Sequence, residues 1–73
     1  MNIQYLMRHH QLDNAFTVAI YNKNDYLILT CSPSDLKRML FGGRYWTADI
    51  TKIEAKTSIL SGRPIVHITV DHC

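Results

Sequence analysis

Residues 32–43 read SPSDLKRMLFGG, a segment in which both ends of a short helix are marked. Ser32 suits the position before the first turn and Pro33 the first helical position, while Asp35 completes a capping box with Ser32. The glycine pair that closes the segment favours the left-handed conformation that commonly follows a last helical turn. The segment therefore predicts a helix from Pro33 to Phe41, about two and a half turns long.

The predicted helix has one apolar side. Leu36, Met39 and Leu40 recur at helical spacing and form a stripe that should pack on the core. Lys37 and Arg38 point away from that stripe and complement the negative end of the helix dipole. A helix of this kind covers one face of a sheet.

An antiparallel hairpin is predicted before the helix. Residues 16–21, FTVAIY, and residues 26–31, YLILTC, have the alternation and composition of strands, and the polar segment NKND at 22–25 joins them. The predicted core face carries Phe16, Val18, Ile20, Leu27 and Leu29. Tyr21, Tyr26 and Ile28 are then expected on the opposite face.

A second hairpin is predicted after the helix. Residues 44–60 are rich in Thr and Ile, and their alternation changes parity near Thr51 and Lys52, which indicates a bulge. A turn at 61–64 leads to a last strand at 65–70. In that strand Val66, Ile68 and Val70 should face inward, and Ile65, His67 and Thr69 outward.

The first dozen residues fit two periods. Ile3, Leu6, Met7 and His10 have helical spacing, whereas Ile3, Tyr5 and Met7 alternate as in a strand, and we favour a strand or short irregular segment. The predicted fold class is therefore α+β: a small antiparallel sheet of four or five strands with one short helix packed on one face. The order is an N-terminal segment followed by ββαββ, with residues 1–73 as a single domain.

Length and composition narrow the class of protein. A chain of 73 residues supports one core, and an apolar fraction of 47% with a net charge of +2 is typical of a folded domain rather than a disordered one. Residues 1–10 do not show the basic and then apolar regions of a signal peptide, and no apolar run reaches membrane-spanning length, so we expect neither feature. Cys31 and Cys73 lack the density of a secreted disulfide scaffold, so we expect free thiols in a cytoplasmic protein with no membrane partner.

No pattern in the chain predicts a cofactor or a metal. The candidate ligands are His9, His10, His67, His72 and Cys73, and they show none of the paired spacings of zinc sites. Cys31 precedes a helix N-terminus, where a thiol can become reactive, but its inward parity favours a structural role. We therefore predict no catalytic residue.

A basic and aromatic cluster lies at the end of the predicted helix. It consists of Lys37, Arg38, Arg44, Tyr45 and Trp46. Such residues bind nucleic acid when the rings are free to stack on bases, and they serve the core when Trp46 packs under the helix instead. An RNA-cleaving protein would draw on His67, Arg63 and Arg44.

The uncovered sheet face is the other candidate site. Tyr21, Tyr26, Ile28 and Ile65 are expected there, and a partly apolar open face favours a protein partner or a homodimer. The element order over residues 14–70, including the segment DITKIE at 49–54, resembles small accessory proteins of phages and other mobile elements, some of which inhibit host or defence complexes.

The leading functional hypothesis is therefore a small non-enzymatic binding protein that inhibits or regulates a larger protein complex. The alternative is a nucleic-acid-binding protein or a small ribonuclease-type toxin. The predicted binding residues are Lys37, Arg38, Arg44, Tyr45, Trp46, Tyr21, Tyr26 and His67.

Overall fold

The computed structural model describes residues 1–9, 16–57, 59–60 and 62–73. In these ranges the elements are α1 (Ile3–His9), β1 (Thr17–Tyr21), β2 (Leu27–Cys31), α2 (Pro33–Leu40), α3 (Arg44–Thr47), β3 (Ile50–Thr57) and β4 (Pro64–Val70). The four strands form one sheet, so the α+β class and the ββαββ order are confirmed, with α1 and α3 as additions. The predictions for residues 10–12 and for Ser61 lie outside the described residues.

The sheet is mixed rather than wholly antiparallel. Its order is β2-β1-β4-β3, and the two predicted hairpins form its two halves. The halves meet through β1 and β4, which pair in parallel. These two strands contain all the buried residues of the sheet, and a parallel pair is normally central and buried. Local patterns predict each hairpin but not the way in which two hairpins meet.

The core lies between one face of the sheet and the helices. Val18 and Ile20 of β1, with Val66, Ile68 and Val70 of β4, form a single buried cluster with residues of the helices. The helices contribute Ile3, Leu6, Leu36, Leu40 and Trp46 to it. All three helices therefore lie on the same side of the sheet, as predicted for α2.

The first turn is held by a buried asparagine side chain. Asn22 is 8% exposed, and its Oδ1 accepts hydrogen bonds from the backbone N–H groups of Asn24 at 2.9 Å and Tyr26 at 3.0 Å. Asp25 has a φ of 68°, a left-handed conformation that Asp tolerates better than most residues. The local geometry makes this polar segment a tight reversal, as its composition predicts.

A bulge in β2 overturns two predictions about this hairpin. Ile20 pairs with Leu29, but Tyr21 pairs with Leu27, so Ile28 is the extra residue. Leu27 is consequently 55% exposed rather than in the core. Ile28 packs against the core instead of lying on the open face. A one-residue shift changes the face of every side chain beyond it.

Helix α2 begins and ends close to the predicted residues but differs in two details. Ser32 makes no side-chain bond to the backbone, and its hydroxyl donates instead to Oδ2 of Asp35 at 3.0 Å. Met39 is 53% exposed, whereas Leu36 and Leu40 are buried. Pro33 is also buried. The buried side of α2 therefore consists of Pro33, Leu36 and Leu40, and Met39 lies at the border between the buried and the exposed sides of the helix.

The N-terminal segment is a helix over Ile3–His9, so the preference for a strand was wrong. Asn2 caps it, because its Oδ1 accepts the N–H of Tyr5 at 2.7 Å and its carbonyl accepts the N–H of Leu6 at 3.0 Å. Only helical spacing buries both Ile3 and Leu6. The choice between the two periods was therefore decided by packing against the rest of the protein.

The segment after the glycines also differs from the prediction. Residues 44–47 form the short helix α3, and the strand begins at Ile50, with the predicted bulge between Ile50 and Lys52. The short helix allows Trp46 to reach the core at 5% exposure. At its other end β3 stops at Thr57, and Ile59 and Leu60, predicted as strand, are 100% and 99% exposed.

Candidate functional site

Within the described residues, no helix packs on the outer face of the sheet, which we call the open face. Strand register places Thr17, Ala19, Tyr21, Leu27, Thr30, Lys52, Glu54, Lys56, Ile65, His67 and Thr69 on it. The pairing of Ala19 with His67, and of His67 with Glu54, puts His67 in the middle of the sheet. A residue at this position is held by strands on both sides.

Tyr21 and His67 form a contacting pair at the centre of the open face. Nδ1 of His67 and the Tyr21 hydroxyl share a hydrogen bond of 3.0 Å, and the two rings stack with their centroids 5.5 Å apart. Both side chains are half-buried. Parallel pairing of β1 and β4 brings together two residues that are distant in sequence. The sequence had marked both as binding residues, and the structure makes them one unit.

A row of alternating charges lies beside this pair on β3. Glu54 accepts from Nζ of Lys52 at 2.9 Å and from Nζ of Lys56 at 3.3 Å. These hydrogen bonds hold the pKa of the Glu54 carboxyl below its ordinary value and raise the pKa of Lys52. The Glu54 carboxylate and the Lys52 ammonium are therefore both favoured in their charged forms. Their exposure to water keeps the contribution of these ion pairs to stability small.

A shallow depression of about 200 Å³ lies over these groups. It is lined by Tyr21, Asp25, Lys52, Glu54, Lys56, His67 and Thr69. The imidazole can accept or donate a proton, the lysines present positive charge, and the carboxylates accept hydrogen bonds. Because both signs of charge are present, the depression suits a mixed polar surface better than a uniformly anionic ligand.

The predicted basic and aromatic cluster lies on the helical side, away from the open face. Lys37, Arg38 and Arg44 are exposed, and Arg38 pairs with Asp35 at 2.9 Å. The aromatic members are engaged elsewhere: Trp46 is in the core, and the half-buried Tyr45 donates its hydroxyl to the carbonyl of Cys73 at 3.1 Å. The structure therefore separates the eight predicted residues, since Tyr21 and His67 lie together and the cluster lies on the other side.

Four surface residues near these sites are not among the binding residues predicted from the sequence. Lys52, Glu54 and Lys56 alternate in a strand, so their period of two could have placed them on one face. Phe41 is 68% exposed and borders a cleft of about 220 Å³ between α1 and α2, where its ring meets Trp46 edge-to-face at 6.1 Å. Tyr26, a predicted binding residue, is 69% exposed beside the first turn.

The two cysteines are free and differ in environment. Cys31 is half-buried on the core side of β2, and Cys73 is exposed. Burial raises the pKa of the Cys31 thiol above its ordinary value, and the carboxylate of Asp35 raises it further. Less Cys31 is therefore in the reactive thiolate form at a given pH. This is the opposite of activation by the nearby helix N-terminus.

We expect iodoacetamide at pH 8 to alkylate Cys31 severalfold more slowly than Cys73, because the thiolate is the nucleophile, Cys31 is the less accessible of the two, and burial raises the pKa of its thiol above the ordinary value. Peptide mass spectrometry over a time course measures the two rates. The same reaction in urea is the control, since unfolding should remove the difference. Equal rates in the folded protein would contradict this environment for Cys31.

In the part of the chain that the structure describes, no three His, Cys, Asp or Glu residues gather as a metal site would require. The described helices are also too short or too polar for any of them to span a bilayer.

Searches against protein-family models, curated proteins and solved structures find no match to this chain.

Proposed function

We propose that this chain is a small non-enzymatic binding protein that occupies a surface of a larger protein through its open face. The observation that carries the proposal is the Tyr21–His67 pair, fixed at the centre of a sheet face that no described helix covers. Aromatic residues with a polar end are enriched at protein interfaces because they bury large area and still make a directed hydrogen bond.

The charges around the pair support a protein partner. Glu54 and Asp25 accompany Lys52 and Lys56 in the same depression, so the depression has no excess of positive charge. A nucleic-acid backbone would meet two carboxylates there, whereas a protein surface can supply charges of both signs. Leu27, 55% exposed beside Tyr21, adds apolar area to this face.

A regulatory role in the cytoplasm completes the proposal. A module of this size can act by covering a site on a larger complex. Its element order resembles accessory proteins of phages and mobile elements, and that resemblance supports an inhibitor of a host or defence complex. Such an inhibitor requires a preformed, rigid binding face, which a central strand pair supplies.

Replacing His67 with alanine is expected to weaken binding to the partner by roughly tenfold or more, because it removes one half of a central interface pair. The partner is first recovered on immobilised wild-type protein from a lysate of the source cells, and its affinity is then measured with purified components. His72→Ala is the matched control, since His72 also contacts a tyrosine ring, that of Tyr45, in this case edge-to-face and away from the open face.

Circular dichroism must show that both histidine variants are folded. Equal affinities for His67→Ala and wild type would contradict binding through the open face. So would a loss of binding confined to variants on the helical side, such as Lys37→Ala. If no recovered protein requires His67 for its binding, the proposal of an inhibitor loses its support.

The second candidate function is nucleic-acid binding or RNA cleavage. One observation favours it: His67, which can transfer a proton, lies in the same depression as Lys52 and Lys56, which can hold a phosphate. Titration with single- and double-stranded nucleic acid at low and moderate salt tests it, because binding to phosphates weakens steeply with salt. Binding without salt dependence, or cleavage that survives in His67→Ala, would exclude this use of the site.

A further inference from the structure

Strand β3 forms one edge of the sheet. It pairs with β4 on one side, and no described strand lies on its other side. An edge strand presents unpaired backbone N–H and C=O groups that can pair with another strand. At eight residues, Ile50–Thr57 is the longest strand among the described residues. The N–H of Ile50 is bonded to the carbonyl of Met1 at 2.7 Å, so the groups available for pairing lie beyond Ile50.

The side chains of β3 are sorted between the two faces of the sheet. Lys52, Glu54 and Lys56 lie on the open face, while Ile53 and Ala55 lie on the helical side, opposite Ile68 and Val66. Ile68 is fully buried, yet Ile53 beside it is 44% exposed. The helices therefore do not reach the edge of the sheet, and the apolar side of β3 is left partly uncovered.

We propose that β3 pairs antiparallel with β3 of a second copy of this chain, which joins the two sheets into one continuous sheet. The alternation of charge argues for this occupant. In a symmetric pair centred on Ile53, Glu54 lies opposite the partner's Lys52. When the pair is centred on Ala55, Glu54 lies opposite the partner's Lys56. The strand is thus complementary in charge to itself.

The same pairing covers the apolar side of the edge. Centring on Ile53 places it against the partner's Ile53, and centring on Ala55 places Ile53 opposite the partner's Thr57. Centring on Glu54 is disfavoured, because it sets carboxylate against carboxylate and lysine against lysine. Edges that resist pairing commonly carry lysines without compensating charge. Here a glutamate stands between two lysines, so the charges permit self-association and also select its register.

The test combines two charge variants. Glu54→Lys makes the three charged positions of β3 on the open face, 52, 54 and 56, all positive. The double variant Lys52→Glu with Lys56→Glu makes the same three positions all negative. We expect sedimentation equilibrium to show a dimer for the wild type and a dimer weakened by roughly tenfold or more for each variant alone, because opposite charges become like charges at symmetric positions. An equimolar mixture of the two variants should recover the dimer, since every cross-strand pair is again complementary.

Asp71→Lys is the matched control for the change in charge, because Asp71 is exposed and lies outside β3, and it should leave the dimer intact. Circular dichroism establishes that each variant is folded. A monomeric wild type, a dimer that tolerates both charge variants, or a mixture that stays monomeric would each overturn the proposal. The measurement needs no partner protein, so it is independent of the test on His67.

Discussion

Replacing Ile68 with alanine is expected to lower the free energy of unfolding by about 2–5 kcal/mol, the range for truncating a large buried aliphatic side chain. Ile68 is fully buried in β4 and pairs with Ile20 on one side and Ile53 on the other. Its removal leaves a cavity where the two halves of the sheet meet. Urea denaturation followed by circular dichroism measures the change.

This loss should be severe because the protein is small. A single hydrophobic core in a domain of this length rarely supplies more than about 3–5 kcal/mol, so the variant is expected to be partly unfolded near physiological temperature. Ile59→Ala is the control, since it makes the same chemical change at a fully exposed side chain and should alter stability by less than about 0.5 kcal/mol. Similar effects at positions 68 and 59 would contradict the position of the core.

Replacing Trp46 with alanine is expected to cost about 3–5 kcal/mol, because a buried indole ring leaves a large cavity. Trp46 joins α3 to the core cluster and is 5% exposed. Among the described residues its Nε1 has no hydrogen-bond partner, which is unusual for a buried donor. Leaving such a donor unsatisfied costs about 1–3 kcal/mol in the native protein.

The phenylalanine variant separates the ring from the donor. Trp46→Phe keeps an aromatic ring and removes the unsatisfied N–H, so it should destabilise the protein much less than Trp46→Ala. Phe41→Ala is the control, because Phe41 touches Trp46 but is mostly exposed. Denaturant titration followed by circular dichroism compares the three. Equal losses for the phenylalanine and alanine variants would contradict this expectation, because they would show that a phenyl ring does not replace the indole in the core.

Local sequence signals predicted the elements whose structure is decided locally. The turn at Asn22 and the start of α2 at Pro33 depend on residues close in sequence, and both were predicted correctly. The bulge near Thr51 was also visible, as a change of alternation. In each case the backbone conformation follows from side chains within a few positions.

The differences arose where distant contacts decide the structure. The helix α1 forms because Ile3 and Leu6 pack into the core. The helix α3 forms because Trp46 packs into the same core. The exposure of Leu27 depends on a bulge that leaves no mark in the alternation of its strand. The candidate site was found in part: Tyr21 and His67 were both named, but their contact depends on a parallel strand pair that no local pattern encodes.

The parallel pairing of β1 with β4 also sets the order in which the protein can become stable during synthesis. β1 leaves the ribosome early, but the strand that flanks it at the centre of the sheet is the last of the four to emerge. Until β4 emerges, Val18 and Ile20 lack one of their two neighbouring strands, so the first hairpin cannot be a stable intermediate. Folding should therefore be a single cooperative event that waits for residues 64–70, and the nascent chain remains exposed to proteases and chaperones until that point.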